Sequence, residues 1–376
     1  MEQERTWHRG VGMRTRREFL KLSAAAAVAA GITSRSLSSQ TPSKKVENTV
    51  YRDLRGFNYQ PSYGSSGLEL WQKFDLRTIE IELTQGKTFF PKMGAIRLWL
   101  SWDSYIRNPK LFETRFDSAL QCAAGHGLAV MPVLFNRWHD YLLDYGGVYI
   151  DHFLQPIQKR RSLFQPYLDS VVGNHSGDPR IFAWDLCNEP VLQGISPNWT
   201  PSLRDAEFSW LADIYSACKT LGAKAPLCIG TDGLENLKFI LSISDIFSIH
   251  PYFVHYLESE AGKLNGSIQF DSGQSLDKDL AALDSMVEFA NQVKKPLLAS
   301  ETCWGSLDDE TRVSIVETTL TELKKRDIGW LVYLLHHSLI ADAHRAQFGP
   351  TDHAGYMAFI EADGTLRPGH GIFNNF

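Results

Sequence analysis

Two glutamates stand out by where they fall in the chain. Glu189 closes Asn188-Glu189-Pro190 at the end of an otherwise apolar run, Ile181-Phe182-Ala183-Trp184-Asp185-Leu186. Glu301 follows a second apolar run, Pro296-Leu297-Leu298-Ala299-Ser300. An ionised carboxylate at the end of a buried segment is costly unless it is paired. Two such acids aimed at one bond could divide the work of cleaving an acetal. One would protonate the leaving oxygen while the other engages the anomeric carbon. Other polar and aromatic residues lie in the later part of other apolar runs or just after them: Asn58 and Tyr59, Arg97 with Trp99 and Trp102, Asn136 and Trp138, Thr231 and Asp232, His250 and Tyr252, Trp304, and His336-His337.

The elements that would position these groups recur with a rhythm. Runs that read as strands are Gly56–Tyr59, Ala95–Leu100, Ala129–Phe135, Ile181–Leu186, Leu227–Gly230, Ile246–Ile249, Leu297–Ser300 and Trp330–Leu335. Amphipathic stretches lie between them: Phe112–Ala124, Phe164–Val172, Ala206–Thr220, Leu276–Val293 and Thr311–Arg326. Strands alternating with helices imply a parallel sheet, and strands apolar throughout imply that both faces are covered. The expected fold is α/β, a (β/α)₈ TIM barrel formed by residues 49–376 as a single catalytic unit. An open doubly wound sheet would place a Gly-rich phosphate turn after its first strand. Here that strand runs into Asn58-Tyr59-Gln60-Pro61-Ser62-Tyr63-Gly64. In a barrel, reactive groups collect at the C-terminal strand ends, where the polar and aromatic residues above fall.

Each residue also has a plainer reading. Asn-Glu-Pro can be a turn, Arg97 a structural ion pair, His250 a satisfied core histidine, and Trp102, Trp138 and Trp199 loop packing rather than sugar platforms. The plainer account must explain every strand end separately.

The remaining features bound the function. Net charge is −5 and no long basic run lies past the N-terminus, which argues against a nucleic-acid partner. Arg16-Arg17-Glu18-Phe19-Leu20-Lys21 precedes an apolar run, Leu22 to Ile32, too short to span a bilayer stably. Residues 1–48 are therefore read as a twin-arginine export signal followed by a disordered tether. The mature protein is expected to be periplasmic or extracellular, monomeric and without a membrane span. The five cysteines, Cys122, Cys187, Cys218, Cys228 and Cys303, lack metal-type spacing and are expected as buried thiols. A Cys218–Cys228 pair is the alternative. No cofactor or metal is expected.

Taken together, Asp185-Leu186-Cys187-Asn188-Glu189-Pro190 resembles the Asn-Glu-Pro signature of the clan A glycoside hydrolases, family 5 in particular. The resemblance runs over about residues 50–340. It implies Glu189 as acid/base and Glu301 as nucleophile of a retaining β-glycosidase. It also implies Arg97 as the second-strand arginine beside the nucleophile, Asn188 as the partner of the sugar 2-hydroxyl, and His250 and Tyr252 as the sixth-strand His-x-Tyr. His250 is expected near the nucleophile, with Tyr252 donating to it. Two departures mark this chain. Phe135-Asn136-Arg137-Trp138 stands where the family usually carries a His, and Trp330 comes too early in strand eight to serve as the usual platform. Trp304 could replace that platform, with His336 lining the same subsite. Asn136-Arg137-Trp138 with Tyr145-Gly146-Gly147 resembles the third-strand loop of the family's β-mannanases, so the substrate is expected to be a β-linked polysaccharide or oligosaccharide, leaning to β-mannan. A β-1,4-glucan is the alternative.

Two other classes compete. A metal-dependent barrel hydrolase could draw on His336, His337, His344 and His353 with Asp342 and Asp352, but no His-x-His follows strand one. A non-catalytic sugar-binding barrel would keep the cleft and lose an acid.

Overall fold

The structure, a computed structural model, describes residues 51–137, 150–190, 200–253, 275–306, 308–339 and 356–376. The leader and tether, Trp138, Tyr145-Gly146-Gly147, Trp199, His344, His353, Asp342 and Asp352 lie outside the described residues. Eight parallel strands close into a barrel in sequence order: β1 Arg55–Tyr59, β2 Ala95–Trp99, β3 Ala129–Val133, β4 Trp184–Asn188, β5 Leu227–Thr231, β6 Phe247–Ile249, β7 Leu297–Thr302 and β8 Gly329–Val332. Among the described residues, no helix is long and apolar enough to cross a membrane.

Helices between the strands begin where local chemistry favours them. Asn108 accepts from the Leu111 amide at 3.1 Å and Pro109 supplies a fixed φ at the first position of helix Pro109–Gly125. Asp308 caps Asp309–Lys325 in the same way, through the Thr311 amide at 2.8 Å. The outer core between helices and barrel is aromatic: Trp184, Trp210 and Trp330 are fully buried, with Phe57 stacked on Phe373 at 4.4 Å.

Inside the barrel, side chains two residues apart share a face, so the strands fill the interior in layers. The lower layer is apolar, a buried cluster that includes Ala95, Met131, Ala183, Cys228, Ile246, Leu298 and Leu331. Two residues further along five of these strands stand Arg97, Asp185, Gly230, Ser248 and Ser300, all buried. An apolar floor thus carries a polar middle layer. The strand-end acids stand above it.

Several boundaries differ from the sequence expectation. The β4 run begins at Trp184 rather than Ile181, which makes only an isolated bridge to Val130. The apolar run read as Trp330–Leu335 leaves the sheet after Val332. The helix expected over Phe164–Val172 spans Ile157–Leu168 and ends in a π turn, Asp169–Gly173. Its first half, Gln158-Lys159-Arg160-Arg161, looks solvent-facing in sequence. Yet Arg160 is buried and donates to Asp213 on the helix Pro201–Thr220 (Nε to Oδ2, 3.0 Å). The five cysteines are all free thiols, so the alternative Cys218–Cys228 pair is not formed.

Arg312, fully buried, ties three segments together at the rim. It donates to the carbonyls of Cys303 (2.6 Å) and Trp304 beyond β7, Tyr333 (2.7 Å) beyond β8, and Met357 (2.9 Å). Next to it, burial and then the Arg312 charge push the His370 imidazole down to about 4. His370 packs edge-on against Phe359 at 4.9 Å, its Nδ1 against the Pro368 carbonyl at 2.9 Å.

A histidine that must stay neutral when folded favours the native state above its unfolded pKa, about 6.5. That contribution is lost as pH falls from there towards 4, because the unfolded chain takes up the proton first. Melting temperature followed from pH 7 to pH 4 should therefore fall less steeply in His370→Gln than in the wild type. The full difference is on the order of 3 kcal/mol. Parallel curves would show that His370 does not contribute.

Candidate active site

The site is built around one cation. Arg97 points inward from the middle of β2 and is fully buried. Its Nη1 donates to Glu301 Oε2 at 2.7 Å and to Asn58 Oδ1 at 3.0 Å. Nη2 donates to Asp185 Oδ2 at 2.7 Å and Asn188 Oδ1 at 2.6 Å, and Nε donates to the same Asp185 oxygen at 3.1 Å. Burial alone would loosen the Arg97 proton, but Asp185 and Glu301 outweigh it and raise its pKa. Asn58 is held in turn, its amide donating to the carbonyls of Ser300 (2.9 Å) and Leu331 (2.8 Å).

Backbone irregularities aim the two acids. In β4 the pairing with β5 slips between Asp185 and Asn188, an extra residue that lets both face Arg97. Directly after this bulge Glu189 takes φ +46, rare for a side-chain-bearing residue, and its amide donates to the Gly230 carbonyl at 2.8 Å. A matching slip in β7 lies between Ala299 and Thr302, around Glu301, with Cys303 at φ +68 just beyond. Thr302 Oγ1 donates to the Pro251 carbonyl at 2.8 Å, tying the end of β7 to the segment that carries Tyr252.

With these supports the acids converge. One carboxylate oxygen of Glu189, one of Glu301 and a ring nitrogen of His250 all lie within 4.8 Å of one another. Tyr252 donates its hydroxyl proton to Glu301 Oε1 at 2.6 Å, so both oxygens of Glu301 are held. His250 Nδ1 lies 2.7 Å from Glu189 Oε1 and 4.0 Å from Glu301 Oε2. The histidine expected beside the nucleophile is thus bonded to the other acid. It is held there because β6 brings it between β5 and β7, over Gly230: a Cβ at position 230 would meet His250 Nε2 at 2.6 Å and Asp185 Oδ2 at 2.8 Å. Asn188 Nδ2 donates to Asn136 Oδ1 at 2.9 Å, which joins β3 to the network.

Seven residues singled out in the sequence are therefore joined by direct contacts: Glu189, Glu301, Arg97, Asn188, His250, Tyr252 and Asn136. Trp304 reaches the cluster through its ring, edge-on to Tyr252 at 5.1 Å. Trp102 and His336 make other contacts. The Trp102 ring is buried against Phe164 and His152, both at 5.1 Å, in the layer between strands and helices, and is packing rather than a sugar platform. His336 faces Gln85 Oε1 at 3.2 Å and lies 3.6 Å from Glu82.

Three further residues belong to the site. Asp185 stands inside a run that is otherwise apolar, and an acid inside such a run is itself a sign of a buried cation. Ser300 contacts His250 Nε2 at 3.1 Å. Asp232 stands one residue past β5, on the same strand face as Gly230. Burial, then the neighbouring Glu189 charge, push its carboxyl up to about 6. A small cation could fit the closeness of Glu189, His250 and Glu301. However, Arg97 already supplies positive charge 2.7 Å from Glu301, so repulsion opposes an ion there.

No protein-family model matches the chain. A probable mannan endo-1,4-beta-mannosidase A-1 from Aspergillus terreus is 31% identical over 125 residues, covering 32% of this chain and 30% of that protein. The mannan endo-1,4-beta-mannosidase F of Aspergillus fumigatus is 28% identical over 179 residues, covering 45% and 37%. The matched stretch thus spans less than half the length of these relatives. Among solved structures, an exo-beta-1,4-mannosidase from Opitutaceae bacterium strain TAV5 superposes with a TM-score of 0.64 at 16% identity, covering 86% of this chain and 58% of that one. The endo-beta-1,4-mannanase of Thermotoga petrophila gives 0.59 at 15% identity, covering 88% and 77%. In its barrel and in the stretch of sequence matched, the chain is similar to the clan A glycoside hydrolases of the family 5 type.

Proposed function

We propose that this chain is a retaining β-glycoside hydrolase that cleaves a β-linked polysaccharide or oligosaccharide, with β-mannan as substrate. One observation carries the reading: the two strand-end carboxylates approach within 4.8 Å. Retaining enzymes hold their acids about 5–5.5 Å apart, whereas inverting enzymes need roughly 6.5–9.5 Å to admit a water. The names of the mannan-cleaving relatives support the choice of sugar.

Each acid has an environment suited to its part. Glu301, clamped by Arg97 and Tyr252, is the nucleophile. As its oxygen bonds the anomeric carbon, the C–O bond to the leaving sugar breaks, and the proton on Glu189 passes to that oxygen. Water then attacks the glycosyl-enzyme, Glu189 takes the water's proton, and Glu301 is released. Asn188, near both Arg97 and Asn136, is placed to bond the sugar 2-hydroxyl. Arg97 offsets charge at Glu301 without moving, since all its bonds are made in advance.

A panel of mannans, glucans and xylans with product-length analysis tests the reading. Mannan should be cleaved, and a 2-fluoro glycoside should leave an adduct on Glu301. Absence of both hydrolysis and adduct would favour a sugar-binding barrel, and chelator-sensitive activity would favour a metal-dependent one. Glu189→Ala should lose about 10²–10⁴-fold on polysaccharide but far less on aryl glycosides whose leaving group needs no proton. Glu301→Ala should lose both, and added azide should restore a product of inverted configuration. Equal losses on every substrate in the two variants would contradict the division of roles.

Asp232 supplies a pH signature. Above about 6 its carboxylate puts a second negative charge beside Glu189, which helps the acid keep its proton. In Asp232→Asn the alkaline limb of the kcat/KM profile should move to lower pH. An unmoved limb would remove Asp232 from the site's electrostatics.

The leader is assigned to twin-arginine export, placing the mature enzyme outside the cytoplasm, where its polymer substrate lies. Replacing Arg16 and Arg17 by lysine should leave folded enzyme in the cytoplasmic fraction, and unchanged export would overturn the assignment.

A further inference from the structure

His250 stands on a column of hydroxyls that the reaction does not use. Its Nε2 meets Ser300 Oγ at 3.1 Å, and Ser300 Oγ is in hydrogen-bond contact with Ser248 Oγ. Both serines are fully buried. Below them the Cys228 thiol donates to the Trp184 carbonyl at 3.3 Å and faces Ser248. At the other ring nitrogen, Nδ1 lies 2.7 Å from Glu189 Oε1.

We infer that Ser300, backed by Ser248, is a positioning residue that fixes which ring nitrogen of His250 carries the proton, and so which oxygen of Glu189 carries the catalytic one. The inference rests on the hydrolase reading above.

A neutral imidazole has one N–H and one lone pair, so the column can run in only two directions. In the first, Ser248 donates to Ser300, Ser300 donates to Nε2, and Nδ1–H donates to Glu189 Oε1. In the second, Nε2–H donates to Ser300, Ser300 to Ser248, and Ser248 to the Cys228 sulfur. The second direction ends on a thiol, a weak acceptor, whereas the first gives Ser300 an imidazole nitrogen. The second also turns the Nδ1 lone pair towards Glu189. Glu189 could then satisfy it only with a proton on Oε1, and whenever Glu189 is ionised two acceptors would face each other at 2.7 Å. The first direction suits both states of Glu189: Oε1 always accepts, and the proton, when present, sits on Oε2.

That placement matters for chemistry. A proton held between Glu189 and His250 is withheld from the leaving oxygen, whereas one on Oε2 is not shared with His250. The logic parallels the serine-hydrolase triad, where an acid orients the catalytic histidine by bonding its far nitrogen. Here a hydroxyl pair orients a histidine that in turn orients the acid. Gly230 makes the stack possible, because a side chain there would collide with Nε2. Charged groups surround the ring on every side: Arg97 from β2, Asp185 and Glu189 from β4, Asp232 after β5, and Glu301 from β7. The tautomer is therefore read directly rather than deduced from activity.

The test uses ¹⁵N ring shifts of His250 in the full chain across the active pH range. For the neutral ring, a protonated Nδ1 and an unprotonated Nε2 that accepts from Ser300 are expected. An Nε2–H tautomer of the neutral ring would overturn the inference while leaving the hydrolase reading intact. In Ser300→Ala the tautomer should become mixed, and kcat on polysaccharide should fall on the order of tenfold to a hundredfold with KM little changed. That is part of the 10²–10⁴ that a general acid supplies. The loss on an activated aryl glycoside should be much smaller, and Ser300→Thr, which keeps the hydroxyl, should restore both shifts and rate. Equal losses on the two substrates would mark Ser300 as merely structural and sink the proposal. A wild type that forms no 2-fluoro adduct and cleaves nothing would sink the hydrolase reading instead.

Discussion

A guanidinium sealed inside a barrel is the constraint to which the rest of the site answers. Removing a charge from water costs several kcal/mol even after relaxation, and the cost is met only when the charge is paired and its donors are satisfied. Arg97 meets that condition with two carboxylates and two amide oxygens drawn from β1, β4 and β7. Each partner is thereby fixed relative to the others. Glu301 cannot turn away without leaving Arg97 underpaired, and Asp185 is needed so that Glu301 is not the sole counter-charge. Among the described residues, the rigid geometry of this cluster follows from electrostatics at the centre of the fold.

The layered interior shows why a barrel can hold such a group. Ala95, Met131, Ala183, Cys228, Ile246, Leu298 and Leu331 make a dry floor that excludes water from below. Above it the inward positions turn polar, and every step of the alternation matters, because a one-residue slip would exchange faces. Bulges in β4 and β7 shift that alternation only where an acid must be aimed. Glu189 at φ +46 carries the strain that results.

Much of this was legible in the chain because strand ends are visible as the places where apolar runs stop. Glu189, Glu301, Asn188, His250 and Tyr252 all fall at or near such stops, Arg97 is a charge inside such a run, and the barrel follows from eight apolar runs separated by amphipathic stretches. What escaped notice were residues whose role depends on facing rather than type. Asp185 and Ser300 sit inside runs that read as packing, and only the inward parity of their strands gives them meaning. Contact partners were equally hidden: His250 bonds Glu189 rather than Glu301 because of the neighbouring Gly230, a packing fact with no local signature. Trp102 misled for the opposite reason. It follows a strand end, yet it opens the short helix Trp102–Arg107 and turns its ring into the outer core. Helix Ile157–Leu168 began earlier than its pattern suggests because Arg160, polar by type, is buried by pairing with Asp213.

The thiols add a property of a different kind. Cys187, Cys218, Cys228 and Cys303 are buried, Cys122 is half-buried, and none is cross-linked. Burial raises all five, that of Cys218 and Cys303 to about 12, so each stays in its unreactive protonated form. Such a molecule asks nothing of the redox state around it, because these thiols hold no bond to make or lose.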